Sequence, residues 1–138
     1  KLATYKSTIA DVEFKYPKTL GWVGDTNINE AWFDFGGPPQ GDSDYIPSIQ
    51  FINNADNHIP NFGKFKNEQN LKIGNHSVSK KTRDYESAED KSPWRDFPQC
   101  VVQYHLLETK YVFCINTEED SVRQNAVQTM IETFKRTK

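Results

Sequence analysis

Three histidines, two cysteines, a close pair of aspartates and an aromatic segment with an arginine are the parts of this sequence whose types suit chemistry. His58, His76 and His105 fall in three separate predicted elements, and no His-x-x-x-His or Cys-x-x-Cys spacing joins any of them. A zinc centre needs three or four such donors brought together, so these would have to converge in space. His105 alternates with Gln103 and Leu107 along a predicted strand, where a hydrogen-bonded structural histidine is expected. Asp42 and Asp44, in Gly41-Asp42-Ser43-Asp44, form a D-x-D pair in a turn-rich loop. Two carboxylates at that spacing can hold calcium or another divalent ion with backbone carbonyls and water. No glutamate closes the loop as the full calcium-loop pattern requires. A solvated turn whose side chains bond their own backbone is the favoured expectation, and no other cofactor is implied.

Acyl or phosphoryl transfer requires a nucleophile, a base and oxyanion donors together. No Gly-x-Ser-x-Gly is present, and Gly36-Gly37-Pro38-Pro39 is a poor phosphate cradle because proline has no backbone N–H. Glu118, Glu119 and Asp120 are accounted for by the start of a helix. The expectation is a protein that is not an enzyme. Binding chemistry is better represented. Lys91-Ser92-Pro93-Trp94-Arg95-Asp96-Phe97-Pro98 has the large aromatics and arginine of interface anchors, so Trp94, Arg95 and Phe97 are the expected contacts to a protein partner. The alternative is that these aromatics cover a sheet edge. Lys64, Lys66, Lys72, Lys80, Lys81 and Arg83 make the middle of the chain basic. Lys80, Lys81 and Arg83 would offer a second surface to an acidic partner or membrane, although lysines on an exposed strand are more commonly edge protection.

The 138 residues suffice for one domain, spanning 1–138, with a real core. Hydrophobic residues are 36% of the chain, a low share offset by 13% aromatics. Seventeen basic and nineteen acidic residues give a net charge of −2, which argues against a nucleic-acid partner. No apolar run approaches the roughly 20 residues that span a bilayer. The chain opens at Lys1 without an initiator Met or a signal-peptide core, as expected of a trimmed or mature form.

Hydrophobic periodicity supplies the elements. Val12, Phe14 and Tyr16 alternate with charged residues and predict a strand ended by Pro17. Residues 31–35 and 48–52 predict two more. Leu71-Lys72-Ile73 and His76-Ser77-Val78, joined by Gly74-Asn75, predict a hairpin or tight corner. Residues 53–70 carry only a weak pattern, read as a short helix or ordered loop, and 79–85 as an exposed strand. Residues 100–107 and 111–116 form the clearest hairpin, apolar nearly throughout and so expected to be covered on both faces. With the turn at Glu108-Thr109, Leu107 pairs with Lys110 and Gln103 with Cys114. Cys100 then falls three positions past the partner of Cys114 and on the opposite face. A disulfide would need a bulge to shift the strand, and two buried thiols are the favoured expectation. Val122, Ala126, Val127, Met130, Ile131 and Phe134 form one stripe of a C-terminal helix. Thr117 is the expected cap, with Asp120 in capping-box position and Lys135, Arg136 and Lys138 near the other end. The order predicts an α+β domain with an antiparallel sheet.

Three segments carry a family resemblance. Val12-Glu13-Phe14-Lys15-Tyr16-Pro17, followed by Trp22, resembles the opening of the PsbP-like family, with the tryptophan slightly later than usual. Leu71-Lys72-Ile73-Gly74 is similar to the corner before that family's central hairpins. Val112-Phe113-Cys114-Ile115, the helix and Thr133-Phe134-Lys135 resemble its closing strand, helix and end. The resemblance implies an α/β/α sandwich and an extracytoplasmic protein held to the membrane by an N-terminal lipid anchor, with no catalytic residues to carry over. Together the readings lead to a non-enzymatic extracytoplasmic binding or assembly module, a lipoprotein-type domain that contacts a protein partner through loops. A metal- or small-ligand-binding accessory protein is the alternative.

Overall fold

Strand alternation sets the architecture. In the computed structural model, residues 1–7, 11–27, 30–35, 48–54, 65–83, 100–115, 117 and 120–137 are described. Their elements are β1 (Leu2–Lys6), β2 (Val12–Pro17), β3 (Trp22–Asn27), β4 (Glu30–Asp34), β5 (Ile49–Asn53), β6 (Phe65–Ile73), β7 (His76–Arg83), β8 (Val102–Leu106), β9 (Tyr111–Ile115), α1 (Ser121–Thr133) and β10 (Lys135–Arg136). Seven strands form one antiparallel sheet in the order β3-β4-β5-β9-β8-β7-β6. A second, three-stranded sheet runs β1-β2-β10. This is an α+β fold, mostly antiparallel sheet with a C-terminal helix.

The small sheet and the helix share one face of the large sheet. Tyr5, Val12 and Phe14 meet Phe33, Phe51 and Phe113 there, together with Ala126, Val127, Met130 and Ile131 of α1. Phe14 sits at the centre, with ring centroids 5.0 Å from Tyr5, 5.2 Å from Phe113, 5.3 Å from Phe51 and 5.6 Å from Phe33. The middle strands β5 and β9 are buried on both faces. Their alternate residues Ile52, Val112 and Cys114 join Cys100 in a separate apolar cluster. That two-sided burial matches the apolar run of residues 111–115, whereas β8 alternates, with Gln103 and His105 only half-buried, so the two-sided cover expected of 100–107 is corrected.

The hairpin register is the expected one, with Gln103 opposite Cys114, yet Cys100 and Cys114 are bonded in a disulfide. The thiol expectation is therefore corrected. Val101 N–H donates to Ile115 O at 3.0 Å while Val102 also pairs with Ile115. Two residues facing one is the count of a bulge, and it brings Cys100 to the Cys114 side with Cα atoms 4.9 Å apart.

Four other expectations change. Asp120, not Thr117, caps α1, because its carboxylate accepts from Arg123 N–H at 3.0 Å. Val122 leaves the apolar stripe and is 59% exposed. Lys135 and Arg136 do not end the helix but form β10 on β2, after Phe134 turns extended. The segment read as a weak helix or loop contains the nine-residue strand β6, whose Asn67, Glu68, Gln69 and Asn70 are all exposed. β6 is thus the edge, and β7 lies inside it. Gly74 closes the β6–β7 turn at φ +61°, and a Cβ there would lie 3.3 Å from Glu132 Cα, so the glycine serves both the turn and the approach to the helix.

Replacing Phe14 with Ala should cost about 3–5 kcal/mol in urea unfolding, since five neighbouring rings lose their common contact. Replacing both cysteines with Ser should cost about 3 kcal/mol, and the unreduced wild-type protein should be lighter by two hydrogens in mass spectrometry.

Candidate functional site

β7 presents successive residues to opposite sides of the sheet, which separates the two expected lysines. Lys80 stands directly opposite Tyr104 on β8, with its ammonium 5.5 Å from the ring centroid. Lys81 faces the other way, beside Gln103, with its ammonium 5.1 Å from the Phe65 ring. Both positions suit a cation–π contact. Their place inside the edge strand removes the edge-protection reading for these two. Arg83 ends β7, and its side chain lies outside the described residues. Trp94, Arg95 and Phe97 also lie outside them, as do Asp42, Asp44 and His58. The disulfide holds Cys100, at the exit of the segment bearing Trp94, against β9.

On the helix side, Lys80 borders a cleft of about 280 Å³ between β6, β7, β8 and α1. Gln124 and Gln128 lie one turn apart on α1, and with Asn125 they supply three side-chain amides to its wall. Leu71 and Ile73 add an apolar strip, while Lys72 between them alternates to the opposite face of the strand. Tyr104 forms the floor, only 4% exposed. Burial pushes its pKa from 10.0 up to about 12. An amide and a phenol can donate and accept, whereas the ammonium only donates. The arrangement therefore suits an anion with further polar groups.

A second cleft, about 550 Å³, opens at the β8–β9 turn between Asn53, Lys110, Tyr111 and Arg136. The Arg136 guanidinium lies 5.8 Å from the Tyr111 ring. The turn itself is tightly fixed. Glu108 takes φ +65°, Thr109 Oγ1 donates to Leu106 O, and His105 Nε2 donates to Thr109 O at 2.8 Å. His76 Nε2 likewise donates to Phe134 O at 3.0 Å, tying the β6–β7 hairpin to the end of the helix. Among the described residues, no group of three or more His, Cys, Asp or Glu is placed to hold a metal ion.

Two polar groupings, one buried and one half-buried, have no counterpart in the sequence reading. Glu30 accepts from Gln50 Nε2 at 2.7 Å and from Trp32 Nε1 at 2.9 Å on the face of the sheet away from the helix. At the helix start, Arg123 pairs with Asp120, reaches Ser48 Oγ and lies over the Phe35 ring. The Arg123 backbone N–H, followed by its guanidinium charge, holds the Asp120 carboxyl below the usual range. Of the cleft residues, Lys80 was visible as part of a basic run. Tyr104 was hidden in an apolar strand, and the three amides read as an ordinary solvent face.

No protein-family model, curated protein or solved structure matches this chain.

Because the folded state favours the neutral phenol, Tyr104 contributes stability below pH 10.0 that is lost as pH rises toward about 12. Alkaline titration of tyrosinate absorbance should include a late-titrating group. Tyr104→Phe should remove it and flatten the loss of stability over that interval.

Proposed function

We propose that this chain is a non-enzymatic extracytoplasmic binding or assembly module that contacts a protein partner. The contacts are Trp94, Arg95 and Phe97 on one side, and Lys80, Lys81 and Arg83 on the strand that leads into their segment. The observation that carries this reading is the Cys100–Cys114 disulfide, with both cysteines buried. Disulfides persist in oxidising compartments outside the cytoplasm. This one also tethers the chain directly after Trp94 and Phe97, which limits the ordering cost of using that segment as an anchor. The exposed polar stretch of β6 beside β7 leaves a wettable surface around the lysines, the composition expected around transient contacts.

The PsbP-like resemblance supports the same reading. It adds an α/β/α sandwich and an N-terminal lipid anchor to the proposal. The helix on one face of the antiparallel sheet is compatible with that architecture. So is the burial of Ile52, Val112 and Cys114 on the other.

A photo-crosslinking residue placed at position 94 or 81 should give the same discrete adduct in the native envelope fraction. One placed at exposed Lys6 should give none. Lys81→Glu should abolish the adduct, and about 0.5 M salt should weaken it through screening. Adducts from position 6 alone, or equal labelling from all three positions, would reject a directed surface.

A further inference from the structure

The geometry points to a second binding activity: the cleft between β6, β7, β8 and α1 takes a small hydroxylated carboxylate of the sugar-acid type. Lys80 holds its carboxylate, and Tyr104, Gln124, Asn125 and Gln128 hold its hydroxyls. This goes beyond the partner surface and stands without it.

Tyr104 supplies the first argument. Its ring is buried, the residue being 4% exposed, and it lines the cleft beside Lys80. A phenol hydroxyl can donate to and accept from a ligand group, and this residue stands at the wall of an open cleft. Charge supplies the second. No acidic side chain is among the described lining residues, and Lys80 brings a cation to the helix side, so the cleft selects for an anion. The Tyr104 ring under the Lys80 ammonium fixes the place where a carboxylate is received by a charge-assisted hydrogen bond.

The amides decide the rest of the ligand. A bare anion needs donors only, yet Gln124, Asn125 and Gln128 bring carbonyl acceptors as well. Groups that both donate and accept match alcohols. Leu71 and Ile73 offer an apolar strip for the C–H face of a ring. The volume of about 280 Å³ lies at the small end of ligand pockets and accommodates one ring rather than a chain of them. No bond is made or broken; the site is one of reversible binding.

The test is isotope-edited NMR of the whole chain titrated with D-glucuronate at constant ionic strength. Saturable shifts of the Gln124, Asn125 and Gln128 side-chain amides are expected, with a Kd of about 1 mM, the affinity a molecule of this size reaches. Lys80→Gln should weaken binding about tenfold or more, and Tyr104→Phe about threefold to tenfold. Lys6→Gln, which removes the same charge outside the cleft, should leave the Kd unchanged. Melting curves will show that each variant is folded. Glucose tests the need for the carboxylate, and N-acetylglutamate amide separates a sugar acid from the acidic side chain of a bound protein. Binding of glucose as tight as that of glucuronate would overturn the assignment. So would tighter binding of the glutamate derivative, an unchanged Kd in Lys80→Gln, or no saturable shift up to roughly 20 mM.

Discussion

The two sheets are held together by side-chain packing around the ring of Phe14. Among the described residues, none of the ladder hydrogen bonds joins the β1-β2-β10 sheet to the seven-stranded one. The layers meet through Phe14, which touches rings from β1, β4, β5 and β9, and through Phe134 at the end of the helix. Aromatic pairs in tilted and edge-on arrangements add directional attraction to simple burial. They therefore fix orientation as well as proximity, which an aliphatic seam of the same area would do less well. A fold only 36% hydrophobic by composition reaches a continuous core because its large rings are concentrated at this one junction.

Everything on the helix side inherits its geometry from that junction. α1 buries Ala126, Val127, Met130 and Ile131 beside the Phe14 cluster, which leaves Gln124, Asn125 and Gln128 turned to the rim of the cleft. Asp120 and Arg123 fix the start of the helix against Ser48 and Phe35. At the other end Thr133 Oγ1 accepts from Lys15 N–H at 2.8 Å, and His76 donates to Phe134 O. The helix is thus anchored at both ends by polar contacts and in the middle by apolar ones. The position of its amides relative to Lys80 and Tyr104 is set before any ligand arrives.

How far the sequence revealed this depends on where each element lies. Residues 12–16, 31–35 and 48–52 were legible because one side of each strand meets the core, and alternation survives there. The β8–β9 register was legible from the apolar runs and the Glu108-Thr109 turn. The disulfide was not, since a single extra residue at Val101 reverses the face of Cys100 without altering the pattern. β6 was missed because an edge strand with Asn67, Glu68, Gln69 and Asn70 exposed has no apolar period to read. Lys80 was singled out, but for a surface. Its role in a cleft depends on Tyr104, which looks like any core aromatic, and on helix amides brought near by tertiary packing.

The pairing of β10 with β2 bears on the order of events during synthesis. Lys135 and Arg136 complete a ladder begun by Glu13 and Val12, and Thr133 bonds Lys15 across 118 positions of sequence. β2 pairs with β1 on one side but lacks its other neighbour until residues well over a hundred positions later have emerged. Contacts of such separation form late and slow folding. Until they do, the open side of β2 is an unpaired edge able to accept another strand. A chaperone that shields this hairpin during synthesis would guard the stretch most exposed to wrong pairing.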